Sequence, residues 1–202
     1  MIREQFIQRY WQYYLALEED FIKTIRYVAI NVSNYSTFSN EFIRQLLSIG
    51  SEVDVLLKGF SPILDSSKSP GNIKGYADIL LNSDLTKHVI DVKCKVKKIP
   101  EIELQPWKDW IITDNSYNSP RWWVSYNQVK HNRITNYSEG NLENVINSLA
   151  GLYIIEMFCC KVLCNNSEVL TVPTPISELF EIENWENQNI IVGENLIISV
   201  CE

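Results

Sequence analysis

A chain of 202 residues with 46% hydrophobic content can bury a core of its own, as one domain or one domain with an appendage, and general disorder is excluded. A formal net charge of −7 excludes broad affinity for nucleic acid, which rests on neutralising cations, so any such contact must be local. No apolar run reads as transmembrane in length, and the charged, periodic start MIREQFIQRYW lacks the apolar core of a signal peptide; the expectation is a cytoplasmic protein with no membrane partner.

Residues 3–30 read as one long helix, because Ile7, Tyr10, Trp11, Tyr14, Leu17, Phe21, Ile25 and Val28 recur at threes and fours, with Glu18, Glu19 and Asp20 on the far side. The polar stretch 31–36 breaks it. A second helix starts after Ser39 or Asn40, both good N-caps, and carries Phe42, Leu46, Ile49, Val53, Leu57 and Phe60 along one stripe. Ser, Pro and Gly make 61–72 a loop, and a short helix follows at 73–82.

The period then changes. In IDVKCKVK (90–97), Asp91, Lys93, Lys95 and Lys97 alternate with Val92, Cys94 and Val96, as in a strand with one wet face, and EIEL (101–104) returns as its hairpin partner. The lysine row could grip RNA, but lysine on a solvated or edge strand also prevents edge-to-edge association, and that reading is preferred. Pro120 marks the start of a helix over WWVSYNQVKHNR, and residues 137–140 turn the chain into a strongly apolar helix of about 20 residues. Gly151 in that helix costs roughly 1 kcal/mol relative to alanine, which implies a close helix–helix approach there. Cys159, Cys160 and Cys164 lie on the same apolar helix, with no histidine near, and read as core residues instead of zinc ligands. Further strands are expected at LFEIE and in a terminal hairpin around 190–200. The fold expected is mainly α, a helical bundle with a small β appendage built from an insertion around 86–104 and C-terminal strands.

The candidate site is the helix at 122–133. Asn127 and His131 are four apart, Lys130 and Arg133 three apart, and no acidic residue occurs between Asp114 and Glu139. Such spacings share a helix side. An imidazole there can act as general acid or base, the cations can hold a phosphate, and the asparagine can orient ring or substrate. These groups suit metal-independent cleavage of RNA by attack of a 2′-hydroxyl on its neighbouring phosphate. A metallohydrolase set, a phosphate-cradling glycine loop and a GxSxG elbow are missing from the sequence, so no cofactor and no metal are expected. Set against this, a lone histidine in a bundle is more often a bonded core residue, and Trp122 and Trp123 could simply anchor the helix. Asp54, in SEVDVLLK (51–58), either pairs with Lys58 along the surface or reaches His131 or Arg133 from another helix.

A long first helix, a second of SEVDVLLK type, and a later helix ending in YNQVKHNR before a long apolar helix together resemble HEPN-type bacterial domains. The resemblance covers roughly 1–60 and 120–165. It implies an all-α module of phage-defence or toxin–antitoxin systems, in which an arginine, a polar residue and a histidine one turn on form a metal-independent endoribonuclease site across a dimer. Asn127 and His131 fit the polar residue and the histidine, while Tyr126 stands where the arginine would be. Either Lys130 or Arg133 replaces the missing cation, or the site is degenerate. Expected on this basis are a HEPN-like bundle over 1–165 and a β-rich extension over 166–202. The partners implied are a second copy of the chain, RNA, and a protein partner or antitoxin. The rival expectation is a catalytically degenerate module that binds a protein or nucleic acid. A third is a structural subunit whose β appendage adds strands to a partner sheet.

Overall fold

The computed structural model describes residues 1–113, 115–164, 172–183 and 185. It is mainly helical, with α1 (Arg3–Phe6), a π turn (Ile7–Trp11), α2 (Gln12–Thr24), α3 (Asn40–Leu64), α4 (Ile73–Leu80), α5 (Arg121–Asn132) and α6 (Leu142–Leu163). The small β component has an antiparallel sheet in the order β2 (Ile99–Leu104), β1 (Cys94–Val96), β5 (Phe180–Ile182), and a hairpin of β3 (Ile111–Thr113) with β4 (Ser116–Asn118). The terminal hairpin expected at 190–200 lies outside the described residues.

The first helical stretch shows why a stripe read at threes and fours needed adjustment. Phe6 and Trp11 are both fully buried, yet five residues apart. In an α-helix that step carries a side chain about 140° past the stripe. The π turn absorbs the extra residue and returns Trp11 to the line of Tyr14, Leu17 and Phe21, leaving Ile7 and Tyr10 only partly buried. The helix stops at Thr24, short of residue 30, with the Thr24 hydroxyl donating to the Phe21 carbonyl.

Glu18 was expected on the outer face and is instead sealed inside, 3% exposed. Its carboxylate accepts hydrogen bonds from the Tyr14 hydroxyl (2.7 Å), the Ser177 hydroxyl, and the backbone N–H groups of Glu178 (2.9 Å) and Leu179 (3.1 Å). Four donors compensate for removing the charge from water. They also fasten the 172–183 segment to α2, helped by the Trp11 indole donating to the Pro175 carbonyl at 2.7 Å. That segment then supplies β5.

The sheet corrects the reading of the lysine row. β1 is the central strand, not an edge, with Cys94 opposite both Leu104 and Ile182, and Lys95 opposite Glu103 and Glu181. Lys93 pairs with Glu103 at 2.7 Å and Lys95 with Glu183 at 3.0 Å, while Lys97 donates to the Ser177 carbonyl. These cations are committed to neighbouring strands and loops. The β3–β4 hairpin was not anticipated.

The Ser39 hydroxyl caps α3 by accepting from the Phe42 N–H at 3.0 Å, and the predicted stripe from Phe42 to Phe60 is buried throughout. The helix runs through Pro62 to Leu64, further than the expected loop boundary. α6 is the centre of the molecule, since every residue from Ser148 to Cys160 is buried. Contrary to the sequence reading, α6 is long and apolar enough to cross a membrane by length and composition alone. Its apolar character is accounted for by protein on all sides, as for any core helix that is hydrophobic all round. Cys159, Cys160 and Cys164 are buried in this core.

Two carboxyls lie within electrostatic reach between α3 and α6. Glu156 is fully buried, and neither of its oxygens has a hydrogen-bond partner among the described residues. Glu52 lies at the edge of the same region. Burial, then repulsion from Glu52, holds Glu156 well above the usual carboxyl range; burial alone pushes Glu52 up to about 7. Tyr10, on the π turn, and Cys159 lie within the electrostatic reach of the pair, and both are pushed up too.

Glu18→Ala strips the acceptor from four donors and is expected to lower unfolding free energy by about 3 kcal/mol in denaturant titration. For Glu52, both states hold the proton below its ordinary value of 4.5, and the unfolded state loses it first as pH rises. Stability is therefore expected to fall between pH 4.5 and about 7, and Glu52→Gln to flatten that slope in thermal melts. Asp20 and Glu41, lowered by Arg44, act in the opposite sense at more acidic pH.

Candidate functional site

α5 is seated by aromatic rings against glycine. Trp122, Trp123, Tyr126 and Val129 form its buried face. A Cβ on Gly50 of α3 would lie 2.4 Å from the Tyr126 ring, and one on Gly151 of α6 would lie 3.0 Å from the Trp122 ring. The Trp107 indole donates to the Gly151 carbonyl at 3.0 Å, and the Trp122 indole to the Pro106 carbonyl at 2.9 Å. The close approach expected at Gly151 is thus present, made by tryptophan rings.

With that face inward, the 3.6-residue repeat turns Val124, Gln128 and His131 outward. They border an open groove of about 490 Å³, within the range of small-ligand sites. Its apolar wall is Ile73 of α4 with Trp123 and Val124; its polar lining is Asn127, Gln128, His131, Asn132 and Asn136, with Ser119 at one end. None of these residues is an acid, a lysine or an arginine.

The six residues singled out by sequence fall in four places. Asn127 and His131 both line the groove. His131 is exposed and has no hydrogen-bond or ion-pair partner among the described residues, so the satisfied core histidine that sequence alone could not exclude is not what the fold contains. Lys130 and Arg133 are exposed on the same helix end but outside the lining. The Lys130 ammonium sits 5.3 Å from the centre of the Tyr126 ring, a cation–π contact. Tyr126 is 3% exposed and lies behind the groove.

Asp54 is not brought to His131. It accepts from the Tyr76 hydroxyl at 3.2 Å, tying α3 to α4, and the Tyr76 phenol is pushed up to about 12, mostly by burial, with Asp54 adding to it. Asp54 therefore helps to position the helix that contributes Ile73. The nearest acid joined to α5 by a hydrogen bond is Glu139, which accepts from the Ser125 hydroxyl at 2.7 Å on the inner side.

Sequence reasoning passed over Gln128, Asn132 and Asn136. Their spacing of four was visible, and it puts three carboxamides on one side of the helix and its extension. Asn127 donates to the Trp123 carbonyl at 3.0 Å; Asn136 donates to the Asn132 carbonyl at 2.8 Å and closes the end of α5. Among the described residues, no group of three or more His, Cys, Asp or Glu is placed to hold a metal ion. The chain matches no family model, no curated protein and no solved structure.

Tyr126→Ala is expected to cost about 3–5 kcal/mol by opening a cavity at Gly50. His131→Ala, at an exposed and unbonded position, is expected to stay within about 0.5 kcal/mol of the parent. Denaturant titration of the two variants side by side checks both.

Proposed function

We propose that this protein is a HEPN-like module of a bacterial defence or toxin-type system, and that the α5 groove cuts single-stranded RNA without a metal ion. The observation that carries the proposal is the His131 ring, open to water on a groove it shares with Asn127 and unclaimed by any described group. Imidazole is the side chain that exchanges a proton most readily near neutral pH.

In this reading His131 takes the proton from a 2′-hydroxyl as its oxygen attacks the adjacent phosphorus. The bond from phosphorus to the 5′-oxygen breaks, leaving a 2′,3′-cyclic phosphate, and the departing oxygen gains a proton from water or from the histidine of a second copy. Lys130 and Arg133 hold the phosphate and offset charge developing on its oxygens. Asn127 orients the strand. A homodimer follows as part of the proposal, since one imidazole serves only one of the two proton transfers.

A second reading is favoured by Tyr126. The position where the resemblance calls for an arginine holds a buried ring packed on Gly50, and Lys130 leans on that ring. On that basis the module is a degenerate one that binds RNA or a protein without cutting.

The deciding experiment incubates purified protein with a panel of labelled single-stranded RNAs at neutral pH in EDTA. Cleavage to 2′,3′-cyclic ends is expected, with His131→Ala reducing the rate roughly 100-fold or more and leaving thermal melting unchanged. Intact RNA throughout, or equal cutting by the variant, sinks the nuclease reading in favour of the binding module.

A further inference from the structure

We propose that the groove reads a nucleobase carrying an amino group at the purine 6-position or the pyrimidine 4-position, that is adenine or cytosine, in preference to uracil. The inference rests on the RNA reading of the groove and adds its selectivity. The lining holds no acid, lysine or arginine, so it suits a neutral planar heterocycle better than a phosphate, whose place is outside it beside Lys130 and Arg133. Apolar contact comes from Ile73 and Val124 on the wall.

The polar groups have a fixed sense. Asn127 turns its Nδ2 to the Trp123 carbonyl, and Asn136 turns its Nδ2 to the carbonyls of Asn132 (2.8 Å) and Gln128 (3.4 Å). An amide oxygen cannot sit against a carbonyl oxygen, so each side chain is locked with its oxygen on the other side. Both oxygens lack a donor among the described residues, and both residues line the groove. Two unclaimed acceptors call for N–H donors. Adenine and cytosine present an amino group at the edge where uracil presents a carbonyl, which would face these oxygens in repulsion. The Gln128 side chain, exposed and without a partner among the described residues, can rotate its amide to supply the complementary donor to a ring nitrogen. Recognition of unstacked bases by such edges is how proteins commonly read single-stranded RNA.

The test uses the full chain and short, fluorescein-labelled 2′-O-methyl homo-oligomers of A, C and U, which cannot be cut by 2′-hydroxyl attack. Fluorescence anisotropy is expected to show A and C bound roughly tenfold or more tighter than U. Gln128→Ala and Asn127→Ala should each narrow that gap, and Gln128→Ala should do so without moving the melting temperature. Equal binding of the three oligomers, no binding of any, or an unchanged gap in both variants overturns the proposal. Competition by AMP as strong as by the A oligomer supports the amino-base site and assigns it to a free nucleotide. Cleavage of unmodified RNA is scored in parallel: selective binding with no cleavage removes only the nuclease reading, and cleavage with no selectivity removes only this inference.

Discussion

The contact between aromatic rings and bare helix backbone at Gly50 and Gly151 is the constraint from which the groove follows. A methyl group at either position would meet the Tyr126 or Trp122 ring within 3.0 Å. Because both positions are glycine, α5 lies close against α3 and α6, and one face of a 12-residue helix is spent entirely on packing. Helical periodicity leaves no freedom in what the opposite face shows. The exposure of His131 is thus a consequence of where Trp122 and Tyr126 are held, some distance behind it. The cost of glycine in a helix interior, roughly 1 kcal/mol, is offset by burial of rings that each remove a large apolar area from water.

Glutamate is used in two opposed ways in the same core. Glu18 is surrounded by donors and acts as an adhesive between α2 and the 172–183 segment. Glu156 has no donor among the described residues and is driven toward its neutral form by burial and by Glu52. The first arrangement makes a buried charge supportive; the second stores an unfavourable burial that weakens the α3–α6 contact as the pair loses protons. That difference is invisible in the residue type and depends wholly on what the fold places within 3 Å.

The lysines illustrate a similar point for charge. A basic row on β1 and a basic end on α5 look equivalent as sequence. In the fold, Lys93 and Lys95 are neutralised by Glu103 and Glu183 from the flanking strand and the segment after β5, whereas Lys130 and Arg133 have no carboxylate among the described residues. The α5 end is therefore a locally basic surface of this acidic protein, beside a groove lined with carboxamides.

Local rules in the sequence determined much of this. Periods of 3.6 and 2, the cap at Ser39, the loop composition of 61–72 and the turn at 137–140 placed the helices and the β1–β2 pair, with the end of α3 off by a few residues. They also put Asn127 and His131 on one side of α5, because spacing along a helix is a property of the chain alone. Tertiary structure decided the rest. The π turn that realigns Trp11, the burial of Glu18, the central place of β1, the engagement of Asp54 by Tyr76, and the turning of α5 so that His131 meets water all depend on residues more than a dozen positions away or on a register no local pattern encodes. A side chain's spacing is written in the chain; its partners are fixed only when distant segments compete to exclude water from the same space.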